Sequence, residues 1–155
     1  MKLDTKLLKK LRLSFLFLGV IISWTSTLAS FIEFYRNEGT IFKIKNCITA
    51  NPVTTPCFWG SLAFLIALFL AVKFFRKESL RFERIFFYFM IFSILFAWTS
   101  FTIELSGVKQ VPGALITVCK PTGSPFLSPC FFGSILFTSS FLTSFMIFKK
   151  AKKID

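Results

Sequence analysis

The sequence predicts an all-α membrane protein, a four-transmembrane-helix bundle built from two parallel two-helix repeats with disulfide-containing outer loops. Three observations predict it. Of 155 residues, 54% are hydrophobic and 24 are phenylalanine, against about 45–50% apolar in a soluble domain. The apolar residues gather in four runs long enough to cross roughly 30 Å of hydrocarbon. A phrase is then written twice: Asn46-Cys47 followed by Thr55-Pro56-Cys57-Phe58-Trp59-Gly60-Ser61 returns as Val118-Cys119 followed by Ser128-Pro129-Cys130-Phe131-Phe132-Gly133-Ser134. A second pair of words, Trp24-Thr25-Ser26 and Trp98-Thr99-Ser100, precedes each cysteine loop. Such self-similarity marks a repeated helix-loop-helix unit.

The third observation is where the charges fall. The net charge is +12, and fourteen of the nineteen basic residues fall in three segments that a four-span plan puts on one side. These are Lys2, Lys6, Lys9, Lys10 and Arg12; Lys73, Arg76, Lys77, Arg81 and Arg84; and Lys149, Lys150, Lys152 and Lys153. Only Arg36, Lys43, Lys45, Lys109 and Lys120 fall on the other. This asymmetry predicts cytoplasmic N- and C-termini and extracytoplasmic cysteine loops in an integral membrane protein. It also accounts for the charge without nucleic acid, which would need basic residues interleaved with exposed aromatics on one folded face. The lipid bilayer is the expected partner, with the basic fringe against anionic lipid.

The whole chain, 1–155, reads as a single membrane domain. Repeat 1 covers about 11–75 and repeat 2 about 85–148. The first span, 11–34, begins after basic residues and imitates a secretory signal. It is too long for one, and its tryptophan word recurs in the third span, so a retained helix is expected. The outer loop 35–56 carries the turn pair Asn51-Pro52, and 40–48 is weakly strand-like. Thr55 as N-cap and Pro56 at the first helical position then start the second span, 58–75. A short charged connection over 76–84 suits antiparallel neighbours. The third span is 85–105. The outer loop 106–129 holds Pro112-Gly113, Pro121, Gly123 and Pro125, with a second weakly strand-like stretch at 111–119. Ser128 and Pro129 repeat the start signal for the fourth span, 131–148. Because each repeat contains two spans, an even number, both copies enter the membrane the same way and all four cysteines share one face. Small residues Gly60, Ala63, Ala67 and Ala71, and Ser134, Thr138, Ser140 and Ser144, recur at helical spacing as packing faces.

There is no histidine, which excludes serine-histidine triads, histidine metal sites and imidazole acid-base catalysis. No Gly-rich phosphate loop is present. The cysteines carry what chemistry remains. Nine residues separate Cys47 from Cys57 and ten separate Cys119 from Cys130, too many for the two-to-four-residue ligand spacing of structural zinc, so no metal is expected. On an oxidising face the expectation is two loop-closing disulfides, Cys47–Cys57 and Cys119–Cys130, each contributing about 2–3 kcal/mol. The two pairings that join the repeats are also open.

A second reading starts from Cys57 and Cys130 in the first turn of a helix. There the orphan N–H groups and the positive end of the macrodipole favour a thiolate. A loop cysteine above, Cys47 or Cys119, could then pass electrons by disulfide exchange. With these four cysteines the chain resembles, in topology, the quinone-linked disulfide oxidases of the DsbB kind and the vitamin K epoxide reductases. That resemblance implies a quinone near the outer end of the bundle. The Cys-x-x-Cys pair of those families does not occur in this chain.

Glu33 and Glu104 end the first and third spans at corresponding places. With Trp24, Ser26, Trp98 and Ser100 they outline an expected small cavity opening outward, or else helix-to-helix hydrogen bonding. No ionisable side chain is expected at mid-membrane, which argues against ion-coupled transport. The functional expectation is a non-catalytic accessory or binding subunit without cofactor, meeting another membrane or extracytoplasmic protein. The alternatives are a quinone-linked thiol-disulfide oxidoreductase and a small solute channel or exporter.

Overall fold

A computed structural model describes residues 4–42, 51–75, 80–105 and 128–151. They form four helices: α1 (Thr5–Glu38), α2 (Pro56–Lys73), α3 (Leu80–Leu105) and α4 (Pro129–Ala151), with a single 3-10 turn, Pro52–Thr54, before α2. Among the described residues there is no strand. All four helices are long and apolar enough to cross a membrane, and the protein is a small integral membrane protein.

Helices α1, α3 and α4 run past the predicted spans where backbone bonding continues into charged ends, whereas α2 starts two residues before its span and stops two short of it, at Lys73. Asp4 caps α1 through its carboxylate, which accepts from the Lys6 N–H at 3.2 Å. The helix then runs 34 residues until Gly39, at φ 68°, turns left-handed and donates its N–H to Tyr35 O at 2.9 Å. Glycine takes that conformation without the Cβ penalty. The weakly strand-like stretch at 40–48 is not a strand over 40–42; its remainder, and 111–119, lie outside the described residues. The basic-end connection is shorter than expected, because 81–84 already belong to α3.

The two predicted N-caps differ. Ser128 Oγ accepts the Phe131 N–H at 3.2 Å, as a capping hydroxyl should. Thr55 sits at the N-cap of α2, but its hydroxyl makes no cap bond and donates to Pro52 O at 2.6 Å. The 3-10 turn before α2 supplies a nearer acceptor. Asn51, buried, fixes that turn: its Oδ1 accepts the Val53 N–H at 3.0 Å and its Nδ2 donates to Ile41 O at 3.1 Å.

α1 packs on α2 and α4; α3 packs on α4 and, less extensively, on α2. Small hydroxyl residues share the interior with the apolar core, and large apolar residues also cover the outside. Ser61, Ser93, Ser134, Ser140, Ser144 and Thr27 are all at most 2% exposed, whereas Phe69 and Phe92 are 64% and 69% exposed. In lipid this is the favourable arrangement, because hydrocarbon gains nothing by hiding a phenylalanine and small hydroxyl residues let helices close on each other. Most of the hydroxyls bond the carbonyl one turn back, as Ser134 does to Cys130 O at 2.8 Å and Ser144 to Ser140 O at 2.7 Å. Two hydroxyl contacts among the described residues cross between helices: Thr27 Oγ1 with Ser61 Oγ at 2.7 Å, and Trp98 Nε1 to Thr138 Oγ1 at 3.1 Å.

The core is Leu16, Phe64, Ala67, Ala71, Phe86, Met90 and Phe137. At its centre the Phe64 and Phe137 rings stack, centroids 3.7 Å apart. Gly19 admits Phe64, since a Cβ there would come within 2.2 Å of the ring.

At the basic end the sequence reading is corrected. Arg12, counted there with the lipid-facing fringe, is 1% exposed and forms a two-pronged pair with Glu83 at 2.7 and 3.3 Å. Its guanidinium also lies 4.4 Å from the centroid of the Phe86 ring. Lys9 is likewise buried, its Nζ 3.5 Å from Phe75 O.

Candidate thiol site and cleft

Pro56 and Pro129 take the first helical position of α2 and α4, where a missing N–H is no loss, and so Cys57 and Cys130 follow at the second. Both are half-buried. Their sulfurs are 3.1 Å apart, about 1 Å beyond the length of a disulfide bond. Each cysteine carbonyl accepts the hydroxyl one turn on, Ser61 to Cys57 and Ser134 to Cys130, at 2.8 Å in both. The two first turns are therefore held alike.

Below the sulfurs a small half-open cleft of about 40 Å³ lies among the four helices. Gly60 and Gly133 form facing walls with Cys57 and Cys130 above them. A Cβ at Gly60 would meet nothing within 4 Å; here the glycine leaves a face bare. The stacked Phe64 and Phe137 are the floor, Phe96 and Ala97 of α3 a side, and Ser23 and Ser100 bring the hydroxyls. Those hydroxyls already donate to backbone, Ser23 to Val20 O at 3.3 Å and Ser100 to Phe96 O at 2.8 Å, which leaves their oxygens as acceptors. The cleft is a mostly apolar hollow with few polar atoms and two thiols at its rim, with room for a few water-sized groups.

The candidates read from sequence divide as follows. Cys57 and Cys130 are brought together. Among the described residues no disulfide is present, and the sulfur of each of these cysteines lies against that of the other, across the repeats. Cys47 and Cys119, and with them both loop-closing bridges, lie outside the described residues. Of the expected outer cavity, Ser100 lines the cleft and Ser26 does not. Trp98 is bonded to Thr138, while Trp24 Nε1 is buried without a hydrogen-bond partner. Glu33 is exposed on α1, and the Glu104 side chain lies outside what is described.

Ser23, which the sequence places with Trp24 and Ser26 in the polar outer half of the first span, does line the cleft. The sequence reading missed the two cleft glycines as a set, although Gly60 and Gly133 stand three residues after each cysteine in the repeated phrase. It also missed the Arg12–Glu83 pair, which no local spacing announces. No protein-family model, curated protein or solved structure matches the chain, and the site is read from its own geometry.

Proposed function

We propose that the protein is a membrane thiol-disulfide oxidoreductase whose electron-carrying pair is Cys57 and Cys130. The observation that carries the reading is their 3.1 Å separation at the rim of an apolar cleft. Two thiols on one helix need close spacing in sequence to meet; here two helix first turns supply one thiol each. Oxidation breaks both S–H bonds, forms one S–S bond and releases two electrons and two protons. A membrane quinone whose carbonyl edge reaches the rim of the cleft accepts all four and leaves as the quinol. Exchange with the thiols of a second, extracytoplasmic protein then returns the disulfide to the dithiol, with Cys47 and Cys119 as loop-borne intermediaries.

In this reading the chain is two parallel repeats about a pseudo-twofold axis along the membrane normal, termini cytoplasmic and sulfurs extracytoplasmic. Three contacts between matching positions support the axis: Cys57 with Cys130, Phe64 with Phe137, and Arg12 with Phe86. The Asn51 clasp at the cysteine end favours a second reading, a non-catalytic accessory or binding subunit in which the sulfurs staple a rigid cap. A through-pore is disfavoured by the stacked rings that close the cleft below.

The test uses the reduced protein in detergent, mixed anaerobically with a short-chain ubiquinone. Quinol should form in step with a Cys57–Cys130 disulfide, found by peptide mapping without reductant, and Cys57→Ser or Cys130→Ser should abolish both. Quinol formation undiminished in both variants, or quinone left unreduced by the folded wild type, would sink the reading. In the latter case a bridge resistant to mild reductant would leave the accessory role standing.

A further inference from the structure

At the end of the bundle opposite the cysteines, all four helices terminate in exposed cations: Lys6 and Lys10 on α1, Lys73 on α2, Arg81 and Arg84 on α3, and Lys149 on α4. The carboxylate that would neutralise them is withdrawn, because Glu83 is buried and held by Arg12. Among the described residues the exposed acid left at this end is Asp4, and its carboxylate caps α1. The excess is therefore not balanced within the described fold.

We infer that this ring binds the phosphate headgroups of acidic phospholipids. Charge complementarity gives the sign of the partner. What stands beside the charges gives its kind. Within one or two helical turns of these cations the same helices expose large apolar side chains, among them Leu7, Phe69, Val72, Ile85, Tyr88 and Phe145. A row of cations over an apolar belt matches a molecule with an anionic head and hydrocarbon tails, and a water-soluble polyanion would leave the belt uncovered. Lys73 joins the two surfaces: it is exposed at the end of α2 with its ammonium over the Phe69 and Phe74 rings, 5.8 and 6.0 Å from their centroids. Cations in the first turns of α1 and α3 also oppose the helix dipole, and a lipid phosphate alongside relieves that conflict.

The experiment is native mass spectrometry of the full chain extracted from nanodiscs of equal parts phosphatidylglycerol and phosphatidylcholine of the same acyl chains. The wild type should retain phosphatidylglycerol in several-fold excess. The variant Lys10→Gln/Lys73→Gln/Arg81→Gln/Arg84→Gln should lose that preference, by roughly five-fold for each cation directly engaged, while Arg36→Gln at the cysteine end should keep it. Equal retention of the two lipids by the wild type needs no variant and overturns the inference. So does a preference unchanged in a folded quadruple variant, or heparin binding at the same ring that displaces no lipid.

Discussion

At the cysteine end, α2 and α4 meet through two sulfurs at 3.1 Å; at the basic end, α1 and α3 meet through Arg12 and Glu83 at 2.7 Å. Both contacts cross a diagonal of the bundle, and both involve positions that match, or nearly match, between the halves of the sequence. Along α2 and α4 the matching residues are the same: Cys57 and Cys130, Gly60 and Gly133, Phe64 and Phe137. Along α1 and α3 they are not, since Lys9 and Arg12 stand where the second half has Glu83 and Phe86.

The difference has a physical source. A thiol or an aromatic ring can face its own kind across a twofold axis, one as donor and one as acceptor, or both as stacked plates. A guanidinium cannot, because two like charges buried at that distance repel strongly. A polar clasp on the axis therefore requires the halves to diverge, and a thiol clasp does not.

The comparison breaks most visibly at the ion pair. Glu83→Ala should leave Arg12 charged and unpartnered inside the bundle and cost about 3–5 kcal/mol, read as a fall in thermal or denaturant stability in detergent. The double change Arg12→Met/Glu83→Leu should recover most of it, since an apolar pair of similar volume carries no desolvation penalty. If the single variant is as stable as wild type, the pair is not the clasp described.

A smaller effect is expected where one half has a glycine and the other a serine. Gly19 matches Ser93, yet only Gly19 has Phe64 against it, so Gly19→Ala should cost about 1–3 kcal/mol by overpacking. Phe64→Leu in the same chain should relieve part of that loss, which a double-mutant cycle measures. Smallest of all is Ser140, fully buried with its hydroxyl unbonded, at the position that Ala67 fills in the first half. Removing an unsatisfied hydroxyl costs nothing in hydrogen bonding. Ser140→Ala should leave stability unchanged or raise it by about 1 kcal/mol, and a clear loss would mean that the hydroxyl has a partner.

The spans were legible because lipid demands apolar length, and the proline-cysteine starts because proline at the first helical position leaves so few alternatives. The helix ends were less so. Backbone bonding carried α1 on to Glu38 through residues that hydropathy assigned to a loop, and only the left-handed Gly39 stopped it. Thr55 was right as a position and wrong as a bond, because the carbonyl that captured its hydroxyl belongs to a turn with no strong local signature. Arg12 and Glu83 stand 71 residues apart; each looks like one more fringe charge until the diagonal brings them together. The cleft was half legible for a related reason. Ser26 and Ser100 match in sequence, but the space lies closer to α3, which reaches it through both Ala97 and Ser100, while α1 reaches it only through Ser23.

The shortest helix sets a dimension for everything around it. With 18 residues, α2 rises about 27 Å, less than the hydrocarbon thickness of an average bilayer, whereas α1, with 34, rises about 51 Å. A span that short is met by thinning of the bilayer beside it or by flanking side chains such as Lys73 reaching out to the interface, and one as long as α1 by tilting. A thicker bilayer should therefore raise the cost along the α2 flank and a thinner one lower it, by fractions of a kcal/mol per Å.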